Sequence, residues 1–349
     1  MVETRIKRID PKDIDQDIIE EFAKMLAEGK TVIFPTETVY GLGANALDEK
    51  AAQKIYEAKG RPSDNPLLVH VCDKEDVYDL VEYVDDKAKI LIDKFWPGPL
   101  TIVFKKKPII PDRTSGGLDT VAIRMPSDEI ARRLIRSAGV PIAAPSANIS
   151  GRPSPTRPDH IIRDMTGRVD GILAGDPCTY GVESTIVDLS GDYPVVLRPG
   201  SVTLEMIAGV LGDARLDPSI LNKDDNIKAK APGMKYTHYS PRAEVYIVDL
   251  KGDDFVDKIK ELVGQNADMG KKTGLMCMDI DMDRFDGVDI EIFSLGQTEE
   301  IAAKRLFDGL IDLDKRGVDV IYSVAFEEKN VGVAIMNRLK KSAGYRIIK

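Results

Sequence analysis

Phe34-Pro-Thr-Glu-Thr-Val-Tyr-Gly-Leu-Gly43 follows a short apolar run at 31–35 and closes on two glycines ahead of a helical stretch at 48–58. Strand, loop and helix in that order form the repeating unit of an open α/β sheet, and such sheets bind ligands at the carboxyl ends of their strands. Thr36, Glu37 and Thr38 occupy that position. The glycine spacing matches neither a Walker loop nor a dinucleotide fingerprint. The alternative reading is an ordinary β-to-α loop whose hydroxyls cap a helix.

The pattern continues on both sides. Ile14, Ile18, Ile19, Phe22, Met25 and Leu26 have helical spacing, and Gly29 is a natural stop. Asp48 is a suitable cap for the helix at 48–58. Residues 67–71 read as a strand and 74–95 as helical, broken by Trp96-Pro97-Gly98-Pro99. Strands are expected at 100–104, 120–124, 141–144, 171–174, 185–188 and 195–198, and helices at 129–138, 159–164 and 204–211. Near Gly212 the composition changes. Residues 213–243 have many proline, asparagine and charged residues and little periodicity, and they read as a linker. From Val245 short strands and helices alternate again, which predicts a smaller second α/β domain. The expected boundaries are 1–212, 213–243 and 244–349.

Lys plus Arg number 49 against 58 Asp plus Glu, so the net charge is −9. That balance argues against a general nucleic-acid coat or a membrane-surface protein. No stretch approaches the roughly 20 apolar residues of a membrane span, and no signal peptide is visible, so a cytoplasmic protein is expected. Cys72, Cys178 and Cys277 are odd in number and widely spaced, which suits small hydrophobes in a reducing compartment better than a disulfide or zinc framework.

Within this acidic chain, cations gather in particular places. Lys59-Gly-Arg-Pro-Ser-Asp-Asn-Pro-Leu-Leu-Val-His70 sets Lys59 and Arg61 on a rigid turn leading into a buried strand, with Ser63, Asn65 and His70 nearby. Such a turn suits a phosphate chain. A solvated turn, and for His70 a satisfied core residue, are the alternatives. Arg124 falls inside the apolar run of Thr120-Val-Ala-Ile-Arg-Met-Pro126, where it needs an anionic partner, either a ligand or a structural carboxylate. Ala143-Ala-Pro-Ser-Ala-Asn-Ile-Ser-Gly-Arg-Pro-Ser-Pro-Thr156 offers Ser146, Asn148, Ser150 and Ser154 without bulk, and Arg152 adds a further cation. Ser184 and Thr185 precede one strand, and Arg198 ends another. Cations, hydroxyls and small residues at strand ends point to a nucleotide or phosphate site that works by positioning and charge rather than by a covalent nucleophile.

Taken together, the stretch 34–43, Lys-Gly-Arg-Pro with Asn-Pro-Leu-Leu-Val-His, Trp-Pro-Gly-Pro-Leu-Thr, Val-Ala-Ile-Arg-Met-Pro, Ala-Pro-Ser-Ala-Asn, Gly-Val-Glu-Ser-Thr-Ile and Leu-Arg-Pro-Gly resemble the YrdC-like family of threonylcarbamoyl-AMP synthases. Ala231-Pro-Gly-Met-Lys-Tyr-Thr-His-Tyr and Gly332-Val-Ala-Ile-Met-Asn-Arg resemble the longer, two-domain form. The resemblance implies a twisted open mixed α/β sheet around a deep cavity, followed by a linker and a smaller Rossmann-like α/β domain. It implies condensation of L-threonine, bicarbonate or CO2, and ATP into threonylcarbamoyl-adenylate and pyrophosphate, for threonylcarbamoyladenosine modification of tRNA. It places threonine near Thr36, His70, Arg124, Ala144 and Ser184, and ATP near Lys59, Ser63, Thr120, Ser146, Ser154, Arg198 and Tyr236. Lys59 and Arg61 would neutralise the triphosphate, Asn148 would assist, and Mg²⁺ would come with ATP rather than in a protein metal cage. Tyr236 and the linker would close over the site, and a downstream tRNA threonylcarbamoyl transferase is a possible partner.

Two other readings compete. A double-stranded RNA-binding module is disfavoured by the acidity and the lack of aromatic platforms, and no stable direct nucleic-acid binding is expected. A carbamoyl transferase of the hydrogenase-maturation type would carry cysteine-paired zinc modules, and this chain has no such pairs.

Overall fold

The computed structural model describes residues 2–221 and 239–349. The described chain divides into two compact units. The first runs to Leu221 without Gly151–Pro153; the second comprises Gly151–Pro153 and the residues from Tyr239 onward.

In the first unit, β1 (Arg5–Arg8), β2 (Val32–Phe34), β3 (Gly41–Asn45), β4 (Leu68–His70), β5 (Leu100–Lys105), β6 (Thr120–Arg124), β7 (Ile142–Ala143), β8 (Gly171–Ala174), β9 (Thr185–Asp188), β10 (Val195–Arg198) and β11 (Arg215–Leu216) form one mixed sheet. Its order is β1-β8-β2-β3-β7-β4-β6-β5-β9-β10-β11. The helices Gln16–Ala27 and Glu129–Ala138 cover part of it. Asp15 caps the first by accepting from the Asp17 and Ile18 amides, and Asp128 caps the second. Their apolar stripes bury Ile19, Phe22, Leu26, Ile130 and Leu134 against Phe34, Ile142 and Ala144. Fully burying each large side chain contributes about 1.5–3 kcal/mol, so this core fixes the strands from which the site projects.

The sequence reading and the structure differ at three places. Gly41 and Gly43 belong to β3, a strand antiparallel to β2, rather than to a loop before a helix. A Cβ on Gly43 would lie 2.6 Å from the Phe34 ring and 2.8 Å from Ile142, so glycine is needed here for close packing. The stretch 74–95 is two helices, Val77–Leu80 and Asp86–Phe95. Val81 leaves the first to bridge with Lys106, and Asp85 caps the second through the Ala88 amide at 2.7 Å. Finally, β11 lies within the stretch read as a linker and pairs with β10. Its neighbour Asp217 donates its amide to Val196 O at 2.9 Å.

In the second unit, β12 (Glu244–Val248), β13 (Thr273–Cys277), β14 (Glu291–Ser294), β15 (Val320–Val324) and β16 (Ile347–Ile348) form a parallel sheet in the order β14-β13-β15-β12-β16. Phe255, Ile259 and Val263 of the helix Gly252–Asp268 pack on it with Phe285. Arg152, read from sequence as another cation of the ligand loop, lies in this unit 3.8 Å from Asp314. All three cysteines are free and buried.

Candidate active site

Strand register gathers polar side chains from distant parts of the chain. The parallel β4–β6 ladder sets His70 beside Arg124, and the antiparallel β5–β6 ladder sets Thr101 opposite the same Arg124. Register partners project from the same face of a sheet. Thr101 Oγ1 lies 2.8 Å from Ser184 Oγ, just before β9. Arg198, at the end of β10, donates through Nη2 to Ser184 Oγ at 3.1 Å and through Nε to Ser184 O at 3.0 Å. A buried polar row therefore runs His70, Arg124, Thr101, Ser184, Arg198. Ala144 borders it, its amide donating to Leu68 O at 2.7 Å.

The loop between β2 and β3 folds over Arg124. Thr36 Oγ1 donates to Val39 O at 2.6 Å, accepts from the Thr38 amide at 3.2 Å and lies 3.0 Å from Thr38 Oγ1. Arg124 donates through Nη1 to Thr38 Oγ1 at 2.7 Å and through Nε to Gly98 O at 3.2 Å. Gly98 is held there by its own amide, which donates to Met125 O at 2.8 Å, in the turn after the cis Trp96–Pro97 bond. Arg124 Nη2 lies 2.7 Å from Glu37 Oε1. Both of the alternatives raised by the sequence thus bear on Arg124, since a structural carboxylate is present and the guanidinium faces the row.

His70 is buried, and its Nδ1 has no hydrogen-bond partner. Burial, and then the Arg124 charge, lower its pKa to about 3. The imidazole is therefore neutral at physiological pH, and it adds a hydrogen-bonding edge without adding charge to Arg124 and Arg198.

Lys59 ends the helix Glu49–Lys59, which Gly60 closes in the left-handed conformation at φ 61°. Its buried ammonium donates to Ser146 O, to Asn148 O at 2.6 Å and to Asn148 Oδ1 at 3.4 Å. Burial foremost, and then the Arg61 charge, hold its pKa well below the ordinary lysine value, with Glu183 acting in the opposite direction. Lys59 thus fastens the 146–148 loop, which also receives Ser146 Oγ on Asn148 Oδ1. Arg61 donates to Asn65 O at 3.3 Å and to Pro66 O at 3.0 Å, bracing its own turn. Ser154 is buried and donates to Glu183 Oε1 at 2.6 Å, one residue before Ser184.

Other expected residues lie further away. Ser63 is exposed, in a groove with Arg61 and Arg113. Thr120 begins β6, four residues before Arg124, and lines a separate cavity of about 380 Å³ with Tyr83, Val103, Lys105 and Asp188. Tyr236 lies outside the described residues. Cys72, Asp73 and Asp76 bring three potential metal-ligand atoms within 4.8 Å of one another, a grouping the sequence reading did not anticipate. It forms a hydrogen-bonded turn, in which Asp76 Oδ2 accepts from the Cys72 and Asp73 amides and Asp73 pairs with Arg136 at 2.8 Å.

Sequence reasoning passed over two residues that matter here. Thr101 gave a weak signal, as a polar residue within an apolar strand. Asp128 reads as a helix cap, and nothing in the sequence places it beside Glu37. It accepts from the Ala131 amide at 3.0 Å, yet burial raises its pKa to about 6, with a further upward push from Glu37. A raised folded-state pKa contributes stability below the ordinary value of 3.8 that is lost as the pH rises through about 6. Asp128→Asn keeps the cap and removes the charge. It should therefore be more stable than the parent at pH 8, by on the order of 1–3 kcal/mol, and close to it at pH 4. Denaturant titration at both pH values checks this, and an equal difference at both would refute it. His70 acts in the opposite sense, losing stability as the pH falls from 6.5 toward about 3.

Comparison with known proteins adds to this geometry. The Sua5/YciO/YrdC family model, described as telomere recombination, matches residues 24–200. The model described as threonylcarbamoyl-AMP synthase, C-terminal domain, matches residues 202–344. The chain is similar to the threonylcarbamoyl-AMP synthase of Pyrococcus abyssi, with 50% identity over 94% of each chain. It is also similar to that of Bacillus subtilis, with 44% identity over 95% of this chain and 94% of the relative. A crystal structure of P. abyssi Sua5 complexed with L-threonine superposes with a TM-score of 0.93 at 48% identity, covering 99% of both chains.

Proposed function

Because the chain belongs to the Sua5/YciO/YrdC family and carries the C-terminal domain of threonylcarbamoyl-AMP synthase, we propose that it joins L-threonine, bicarbonate or CO2, and ATP into threonylcarbamoyl-adenylate. The observation that carries this reading is the continuous buried row from His70 through Arg124 to Arg198, with Thr36 and Thr38 folded over it. A guanidinium with donors to spare suits the carboxylate of the amino acid. The neutral His70 and the Ser184 hydroxyl are suited to its hydroxyl.

We assign ATP to Arg198, Ser154 and the Lys59-fastened loop at 146–148; Glu183 ties the last two, accepting from Ser154 and acting electrostatically on Lys59. A polyanion beside Lys59 would favour its charged form, and Arg61 adds charge to the same turn. The residues there are cations and hydroxyls with the Glu183 carboxylate beside them, a set in which Mg²⁺ would come in on the phosphates of ATP. The neutral amine of threonine forms a C–N bond to the carbon of CO2 and releases a proton, or bonds to the carbon of bicarbonate, whose C–OH bond breaks so that the hydroxyl leaves with the amine proton as water. An oxygen of the resulting carbamate then bonds to the α-phosphorus, and the bond to pyrophosphate breaks. Neither step requires a side-chain nucleophile. The site works by holding the reactants together and by neutralising the departing charge.

The adenylate is labile and would pass to a tRNA threonylcarbamoyl transferase. Among the described residues no helix is long and apolar enough to cross a membrane, and three free cysteines fit the cytoplasm, where we place the enzyme. Incubation with ATP, Mg²⁺, labelled bicarbonate and either threonine or serine tests the reading. Threonine-dependent pyrophosphate and a labelled adenylate are expected; pyrophosphate release indifferent to threonine would overturn it.

A further inference from the structure

We infer that Glu37 holds the ammonium group of the amino-acid substrate, so that Arg124 and Glu37 together read the two opposite charges of a zwitterion. The inference rests on the reading that threonine binds at Arg124 and assigns a residue to its other charge.

The two carboxylate oxygens of Glu37 are in different situations. Oε1 is occupied, lying 2.7 Å from Arg124 Nη2 and accepting from the Ser127 amide at 3.0 Å. Oε2 is equally buried and accepts no hydrogen bond. A buried carboxylate oxygen without a donor is costly, and native proteins rarely leave one so unless a ligand supplies the donor. Arg124 is also incompletely used. Its Nε and Nη1 donate to Gly98 O and Thr38 Oγ1, but Nη2 makes no aligned hydrogen bond despite its closeness to Glu37. Unspent donors and an unspent acceptor therefore lie side by side, which is the complement of a carboxylate next to an ammonium on one carbon.

Glu37 is held rigidly enough for this role. Its carbonyl accepts from the Tyr180 amide at 2.8 Å, and the carbonyl of Thr38 accepts from the Gly181 amide at 3.1 Å. The Ser127 amide and Arg124 then fix the side chain, so Oε2 is held in place before substrate arrives.

Calorimetry on the full chain tests this with L-threonine and with 3-hydroxybutyrate of matching configuration, which keeps the carboxylate, hydroxyl and methyl and lacks the ammonium. The wild type should bind threonine roughly 10- to 100-fold more tightly than 3-hydroxybutyrate, the range of one charged hydrogen bond. Glu37→Gln should bind threonine about as weakly as it binds 3-hydroxybutyrate, with ATP affinity unchanged. In steady state it should raise KM for threonine and leave KM for ATP alone. A wild type that does not discriminate the two ligands, or a Glu37→Gln variant that still does, would overturn the inference. The wild-type ratio stands whether or not the variant folds, and Glu37→Asp, which withdraws the carboxylate by one methylene, gives a second reading through an intermediate ratio. If wild-type protein binds no threonine at all, the proposed function fails as well; if both proteins bind it equally, only the role of Glu37 fails.

Discussion

Arg124→Met should abolish threonine-dependent pyrophosphate release and destabilise the first unit by about 3–5 kcal/mol, the cost of removing one partner from a buried ion pair. Both effects come from the same environment. The guanidinium neutralises Glu37, satisfies Gly98 O and Thr38 Oγ1, and faces the row in which the amino acid is proposed to bind. Methionine fills much of the volume but leaves the Glu37 carboxylate buried with its guanidinium partner gone and the Ser127 amide still donating to it. Stability and activity can be separated by a double substitution. Adding Glu37→Gln to Arg124→Met removes the stranded charge and should recover a large part of the lost stability, while the activity stays absent because nothing binds the substrate carboxylate. Denaturant titration of the parent, the two single variants and the double variant gives the coupling energy. Additive destabilisation would show that the pair does not act as a unit, and turnover by the double variant would remove Arg124 from substrate binding.

Lys59→Met has the second largest expected effect, a fall in turnover of roughly 10²- to 10³-fold, comparable to removing a preorganised charge from a developing anion. Threonine affinity should change little, because the Lys59 ammonium donates to Ser146 O, Asn148 O and Asn148 Oδ1 rather than to the His70–Arg198 row. The loss has two sources. One is the missing charge beside the departing pyrophosphate. The other is the release of the 146–148 loop, whose carbonyls at Ser146 and Asn148 lose their shared donor. Pyrophosphate release at saturating ATP, together with threonine calorimetry, checks the prediction. Near-normal turnover would mean that Lys59 only fastens the loop, and a parallel loss of threonine affinity would mean that the two sides of the site are not separable.

The strands carrying the row were legible in the sequence because each is a short apolar run bounded by turn residues, and Arg124 and His70 were conspicuous as polar side chains inside such runs. What joins them was not legible. The antiparallel pairing of β5 with β6 makes Thr101 a neighbour of Arg124, and no local pattern encodes which strand lies beside which. The ion pair between Glu37 and Arg124 and the half-buried place of Asp128 near Glu37 have the same origin, since each is a tertiary contact that no local pattern encodes. Gly41 and Gly43 misled for a definite reason. Glycine ordinarily signals a turn, whereas here its lack of a side chain admits the Phe34 ring. The sequence marks Lys59 as a cation on a turn, and its burial and its bonds to the loop at 146–148 are tertiary facts that no local pattern encodes. Ser63 and Thr120 were grouped with it on resemblance, and the structure puts the first on an exposed groove and the second at the far end of β6.

The ladder order β4-β6-β5-β9-β10 draws the row from segments spread between His70 and Arg198. During synthesis, no shorter piece of the nascent polypeptide can complete this row, because Arg198 must leave the ribosome before the last strand of the row can dock. Until then the buried cations have no finished enclosure and the central strands expose unpaired edges. A ribosome stalled before codon 198 would therefore carry a chain whose row is unfinished and whose open strand edges are prone to stick to its neighbours.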